Sequence, residues 1–270
     1  GSDAVLRQTP QHLNKDICPA VATYSLVIRR LMIVSLTIVV SRAITSPLLT
    51  LFLSNKLGLN QQDVGLLLGI AVFIATLLAL YGGYIIDRLE KRRLLILAML
   101  SSAIGFVLLT FAENLYLTTL TLVITETASA LFLIGSKAIL SENLPMGQRA
   151  KAFSLRYTLT NIGYATGPML GVVIAGVYPI APFLIAGGIA FFSIFLMLGI
   201  PRDSAQTPAI GQPQSFLKTL VTLKNDRTLI MFTCGCLLST VVHGRFTLYL
   251  SQYLLVTEDS RRALETMAAL

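Results

Sequence analysis

Two long uncharged runs meet at the segment Gly83-Tyr84-Ile85-Ile86-Asp87-Arg88-Leu89-Glu90-Lys91-Arg92-Arg93. The runs cover residues 64–86 and 94–112. Each is long enough to cross a bilayer as a helix, because ~20 residues at ~1.5 Å rise span a ~30 Å hydrocarbon core. The charged segment is therefore a very short turn between two membrane spans. Its excess of Lys and Arg predicts that it lies on the cytoplasmic side.

The amino-acid composition is that of an integral membrane protein. Of its 270 residues, 54% are hydrophobic and only 13% are charged, whereas a soluble domain averages about 25% charged residues. The apolar residues form blocks of ~20, as helices require and barrel strands do not. The fold class predicted is an all-α membrane protein, multi-pass, in the cell (inner or plasma) membrane.

The net charge of +8 comes from basic residues between the apolar blocks, so we expect a lipid bilayer and no nucleic acid as partner. The cysteines Cys18, Cys234 and Cys236 indicate neither a disulfide framework nor a metal site. No metal and no cofactor are expected.

The chain divides into a bundle, a linker and a further span. The predicted units are a cytoplasmic tail (1–28), a six-helix bundle (29–200), a cytoplasmic linker (201–227), transmembrane helix seven (228–256) and a tail (257–270). The six spans of the bundle are predicted at 31–53, 64–86, 94–112, 115–137, 153–176 and 182–200. Between spans four and five, Ser141–Lys151 is polar and is predicted to be a loop.

Charge asymmetry sets the orientation of these spans. Each predicted cytoplasmic segment holds four Lys or Arg residues, and these segments are 1–30, 87–93, 137–156 and 201–227. The opposite loops hold one, Lys56. The N-terminus is therefore predicted to be cytoplasmic. Six spans, a linker and a seventh span also suggest a two-half transporter truncated after span seven. Missing C-terminal helices or a partner chain would then complete it.

Two motifs in this layout resemble those of the major facilitator superfamily (MFS). Gly83-x-x-x-Asp87-Arg88-x-x-Lys91-Arg92 is similar to its signature between spans two and three, with Glu90 in place of a second glycine. Gly163-Tyr-Ala-Thr-Gly167-Pro168-Met-Leu-Gly171 resembles the span-five signature of its drug/proton antiporters. The span-four signature with its embedded arginine is absent, and Glu126 lies in that span.

The resemblance implies roles for both motifs. It implies that Gly83, Asp87, Arg88, Lys91 and Arg92 form a conformational latch between two halves; the alternative is that they only fix topology. The glycines of span five recur every four residues and line one helix face. The resemblance implies a flexible interface between the halves there, and ordinary tight packing of small residues is the compatible alternative.

Ionisable residues stand at the middle of three predicted spans. They are Arg42 in span one, Glu126 in span four and His243 in span seven, with Arg245 close by. Charges at the bilayer centre cost ~2.5–3.5 kcal/mol or more each, so they usually face a cavity and one another. In the superfamily, spans one, four, seven and ten line the central cavity, which agrees with this placement.

Proton coupling is the chemistry these charges favour. Glu126 is the candidate proton carrier, because burial favours the neutral acid while a nearby Arg42 favours the carboxylate. A fixed structural pair of Arg42 with Glu126 is the alternative. His243 is a candidate for proton relay. Lys137 is predicted to end span four and to reach the membrane interface.

Three polar residues of span five and one of span seven are candidates for contacting substrate. They are Tyr157, Asn161, Tyr164 and Arg245. For the span-five residues, packing is the alternative role.

The function predicted is secondary active transport, by alternating access, of small organic molecules that are drug-like or peptide-like, in exchange for protons. An enzyme is not expected, because the chain lacks a nucleophile-elbow, metalloprotease or phosphate-loop motif. A seven-helix receptor or photoreceptor would need the N-terminus outside or a lysine in span seven. The remaining alternative is a truncated, non-transporting fragment or membrane interaction protein that needs a partner to complete the fold.

Overall fold

The computed structural model describes residues 24–86, 90–201, 225–228 and 230–238. Within these residues the backbone forms helices and no strand, which confirms the all-α class. Six helices follow one another: α1 Leu26–Leu57, α2 Gln61–Ile86, α3 Lys91–Phe111, α4 Leu115–Glu142, α5 Met146–Val177 and α6 Ala181–Leu198. Residues 230–238 are also helical.

Local capping chemistry sets where the helices begin and end. The side-chain oxygens of Asn60 and Asn114 accept backbone N–H groups at the starts of α2 and α4, each over 2.8 Å. Such caps satisfy donors that the first helical turn leaves free. Gly58 ends α1 with φ of 65°, a left-handed conformation that costs glycine little.

Alternate helices begin at the same end of the bundle. We call this the basic end: it comprises the starts of α1, α3 and α5 and the ends of α2, α4 and α6. Contacts between side chains and helix termini join these elements. Arg92 on α3 donates to the carbonyl of Leu198 on α6 over 2.6 Å, and Arg30 on α1 donates to the carbonyl of Gly199.

The helices pack with α1 against α5 and α6, and with α4 against α2 and α3. Two apolar clusters fill the interior. The one toward the basic end includes Leu31, Leu95 and Ile139. The one toward the opposite end includes Leu53 and Phe183. The site described below lies between these clusters along the helices.

Large apolar side chains also cover much of the outside. Phe73 on α2 and Phe192 on α6 are 64% and 70% exposed, which suits contact with lipid. Among the helices that the structure describes, five (α1, α2, α3, α4 and α6) are long and apolar enough to cross a membrane. Helix α5 is also long, at 32 residues, but its sequence is more polar.

Helix boundaries differ from the predicted spans. The predicted loop Ser141–Lys151 is mostly helical, since α4 runs to Glu142 and α5 begins at Met146. Lys137 consequently lies more than a turn before the end of α4. Apolar runs mark only the part of a helix in contact with lipid or core, and polar residues continue the same backbone hydrogen bonding beyond it.

Candidate functional site

An ion pair joins the middles of α1 and α4. One terminal nitrogen of Arg42, Nη2, donates to both carboxylate oxygens of Glu126, at 3.0 Å from Oε1 and 2.8 Å from Oε2. The side chains are 37% and 25% exposed. Two of the three ionisable residues predicted at mid-span, Arg42 and Glu126, therefore meet. Helices α1 and α4 hold them at matching depth because both are near mid-length.

The pair borders a cavity of about 150 Å³. Its other lining residues are mostly apolar and extend toward the end opposite the basic end; they include Leu49, Phe106, Leu109, Leu122 and Thr125, with Tyr164 from α5. Glu126 is thus neither sealed in the core nor free in solvent. A proton arriving through this cavity would neutralise Glu126 and release Arg42 from its carboxylate partner.

The three candidate substrate contacts on α5 share one exposed face. Tyr157 is 69% exposed and Tyr164 is 56% exposed, and Asn161 between them is also exposed. Their spacing of four and three residues puts them on one side of a helix. Tyr164 reaches the cavity of the ion pair, whereas Tyr157 and Asn161 do not line it.

The glycine face of α5 packs directly on α1. A Cβ added at Gly167 would stand 2.3 Å from the Cβ of Ala43, and one at Gly171 would stand 2.1 Å from the carbonyl oxygen of Ile44. A Cβ added at Gly163 would stand 3.0 Å from Cγ1 of Val39. Pro168 follows within the uninterrupted helix. This face therefore packs tightly on α1 within the six-helix bundle, and a flexible interface between the halves stays a prediction.

The basic segment after α2 contacts helix ends of the same bundle. Lys91 is fully buried, and its Nζ lies 2.8 Å from Oε1 of Glu142 at the end of α4. Arg92 donates to carbonyls at the end of α6. Cations are favourable at helix C-termini, where the dipole is negative. Gly83 lies within α2, while Asp87 and Arg88 fall outside the described residues, so the latch between halves stays a prediction.

Lys91→Gln is expected to lower the free energy of unfolding by about 1–2 kcal/mol. Loss of one partner of a fully buried pair costs ~3–5 kcal/mol, and the 30% exposure of the Glu142 side chain reduces that figure. The control is Arg93→Gln, which also removes one positive charge from an ion pair, here with Glu90. The Arg93 side chain is 67% exposed, so this substitution should lower the free energy of unfolding by less than ~1 kcal/mol. Thermal denaturation in detergent measures the stability of both variants. Equal losses of stability would contradict a larger contribution from the buried Lys91–Glu142 pair.

Other predicted site residues fall outside the described ranges. His243 and Arg245 belong to the predicted seventh span, of which the structure describes only the first part. Among the residues that are described, no three His, Cys, Asp or Glu side chains come together as a possible metal site.

Sequence reasoning missed one embedded charge, Arg156. Only 6% exposed, it donates from Nη2 to the hydroxyl of Ser136 over 2.9 Å and from Nε to the hydroxyl of Ser35 over 3.3 Å. It was grouped with loop cations because span five was predicted to begin just before it. A signal was present: Arg156 precedes Gly163 by seven residues, or about two turns, and so lies on the buried glycine face.

Comparison with known proteins identifies a family. The family model described as Major Facilitator Superfamily matches residues 31–269. The chain is 30% identical over 239 residues to the MFS-type transporter YdeE of Escherichia coli (strain K12), covering 87% of this chain and 59% of that protein. It is 23% identical over 176 residues to the quinolone resistance protein NorA of Staphylococcus aureus, covering 64% and 45%. The chain spans about half the length of the curated relatives it matches.

The fold also resembles solved transporters. The crystal structure of the POT family transporter PepTSo superposes with a TM-score of 0.60 at 17% identity, over 91% of this chain and 52% of that one. This likeness concerns the fold alone.

Proposed function

Because the chain belongs to the Major Facilitator Superfamily, we propose that the full-length protein is a secondary active transporter that exports small organic molecules in exchange for protons. The observation that carries this proposal is the Arg42–Glu126 pair, which stands mid-length in the bundle at the wall of a cavity. Embedded ionisable residues that face a cavity are typical of ion and substrate pathways. One relative is named for quinolone resistance, which supports drug-like substrates.

The mechanism follows from the chemistry of the pair. With Glu126 ionised, its contact with Arg42 holds α1 and α4 in their present relation. A proton entering from the end opposite the basic end neutralises Glu126, and Arg42 becomes available to a substrate or to another helix. Alternating access then exposes the carboxyl group to the cytoplasm, where the proton leaves. Tyr164 at the cavity and Asn161 and Tyr157 along the same face of α5 would contact the substrate.

A transport assay tests this proposal. The full-length protein is reconstituted into liposomes with an acidic lumen, and a fluorescent quinolone is added outside. Outward proton flow should drive quinolone accumulation in the lumen, and a protonophore should abolish it. Accumulation that ignores both the gradient and the protonophore would overturn proton coupling.

Orientation can be tested separately by single-cysteine labelling. We expect the basic end to be cytoplasmic, because Lys and Arg are retained on that side during insertion. In a background with the native cysteines replaced by serine, Gln148→Cys at the basic end should react with a membrane-impermeant maleimide only after cells are permeabilised. Gln62→Cys at the opposite end should react in intact cells. Both residues are exposed, so the reverse pattern would mean the reverse orientation.

A further inference from the structure

Lys137 and Arg156 are among the positive charges of the described helices that have no carboxylate partner. Lys137 on α4 and Arg156 on α5 form no ion pair with any residue that the structure describes, whereas Arg42 is matched by Glu126. Unmatched charges within membrane helices are costly and usually mark a ligand or ion path. The question is what neutralises them.

Arg156 is fixed in place by hydroxyl groups. Ser35 and Ser136 accept two of its N–H groups, so its guanidinium joins α1, α4 and α5 at one level. Hydroxyl oxygens satisfy its donors but leave its positive charge uncompensated. Its charge therefore adds to the positive potential around Lys137, which directly follows Ser136 on α4.

Lys137 shares a helix side with Glu126. It follows Glu126 by 11 residues, about three turns of α4 at 3.6 residues per turn. Its side chain is exposed, and it makes no hydrogen bond within the described part of the chain. Three turns are about 16 Å, so Lys137 lies on the same side of α4 as the ion pair and nearer the basic end.

Aromatic surface lies at the same level. Tyr157 directly follows Arg156, just as Lys137 directly follows Ser136, and the Arg156–Ser136 hydrogen bond ties the two positions together across α4 and α5. Tyr157 is 69% exposed. A cation and an exposed aromatic ring at one level of the bundle suit a solute that has an anionic group and an apolar body.

We propose that Lys137 binds the anionic group of the substrate, so that the exported solutes are organic anions or zwitterions bearing a carboxylate or a similar group. The positive charge of Arg156 strengthens this attraction, and Tyr157 packs against the apolar part of the solute. This proposal rests on the transport function proposed above, since it names the class of that transporter's substrate.

The test is equilibrium binding of a matched pair of probes to the full-length protein in phosphatidylcholine nanodiscs. Dansylglycine carries a carboxylate, and dansylglycinamide is its neutral counterpart with the same fluorophore. We expect the acid to bind at least about tenfold more tightly, equivalent to ~1.4 kcal/mol. Lys137→Gln should remove this preference by weakening the acid alone, and Lys137→Arg should keep most of it. Unchanged amide binding shows that the variants are folded.

The matched control is Lys151→Gln, which removes another exposed lysine from the basic end, beyond the apolar part of α5. It should leave both affinities unchanged. Acid and amide binding equally, or an equal effect of the two glutamine variants, would overturn the proposal. Loss of the preference on adding phosphatidylglycerol would assign Lys137 to a lipid headgroup and overturn it as well.

Binding is measured without a proton gradient, so the two proposals fail separately. A protein that discriminates acid from amide but ignores the gradient lacks proton coupling only. A protein that responds to the gradient without discriminating the probes lacks the anion site only.

Discussion

Glu126→Gln is expected to abolish proton-driven transport by the full-length protein. Glutamine matches glutamate in size and can still accept a hydrogen bond from Arg42, which now lies 2.8–3.0 Å from the carboxylate oxygens. It cannot bind and release a proton. The variant should therefore fold and bind substrate while quinolone accumulation in acid-loaded liposomes falls to that of protein-free liposomes.

Substrate exchange measured without a proton gradient distinguishes a loss of proton coupling from a general loss of transport activity. Substrate counterflow at equal pH needs the conformational change but no net proton movement, so Glu126→Gln should retain it. The matched control is Glu113→Gln, which neutralises an exposed carboxylate in the turn between α3 and α4 and should preserve gradient-driven transport. Full accumulation by Glu126→Gln would make the pair a fixed structural contact and would place proton coupling elsewhere.

Gly171→Val is expected to prevent stable assembly of the bundle. The Cβ of valine would stand 2.1 Å from the backbone carbonyl oxygen of Ile44, and backbone cannot rotate away as a flexible side chain does. Either α1 and α5 separate or one of them distorts. Overpacking costs ~1–3 kcal/mol and occasionally more, and a clash with backbone belongs at the upper end, about 3 kcal/mol or more. The fraction of monodisperse protein after detergent extraction and its thermal midpoint measure this loss.

The same helix offers a control for this substitution. Gly176 lies five residues further along α5, and a Cβ there meets nothing within 4 Å. Gly176→Val therefore changes helix propensity and side-chain size equally but introduces no clash. It should leave yield and thermal midpoint within the range of the unmodified protein. If the two variants behaved alike, contact between α5 and α1 would not be the reason for the glycine at position 171.

The positions of the helices in the sequence were predictable because a membrane-spanning helix has a simple requirement. A span must be apolar over ~20 residues, so runs such as 64–86 identify helices directly. Their ends were not predictable in the same way. Arg149 and Lys151 were assigned to a loop before span five, yet both lie on the first turns of α5, because a charged residue outside the apolar core can remain helical.

The ion pair was predictable from the free-energy cost of an unpaired charge in the membrane, whereas its surroundings were not. A charge at mid-span requires a partner, which pointed to Arg42 and Glu126 before any distance was known. The spacing of the α5 glycines likewise predicted a close helix contact. That α1 is the neighbour depends on how six helices are arranged in space, and single-span patterns carry no such information. Arg156 was missed because it was counted among the loop cations, and its partners, Ser35 and Ser136, carry no charge that would have indicated a buried contact.

The arrangement of α1 has a consequence for biosynthesis. Helix α1 packs mainly on α5 and α6 rather than on α2, and 84 residues separate Arg42 from Glu126. At ~5–20 residues per second, the ribosome needs about 4–17 s to supply that partner. During this interval the first helix carries an unmatched arginine and lacks its main neighbours. The packing of the first helix is therefore completed only after the fourth helix has supplied Glu126 and the fifth and sixth helices have been made.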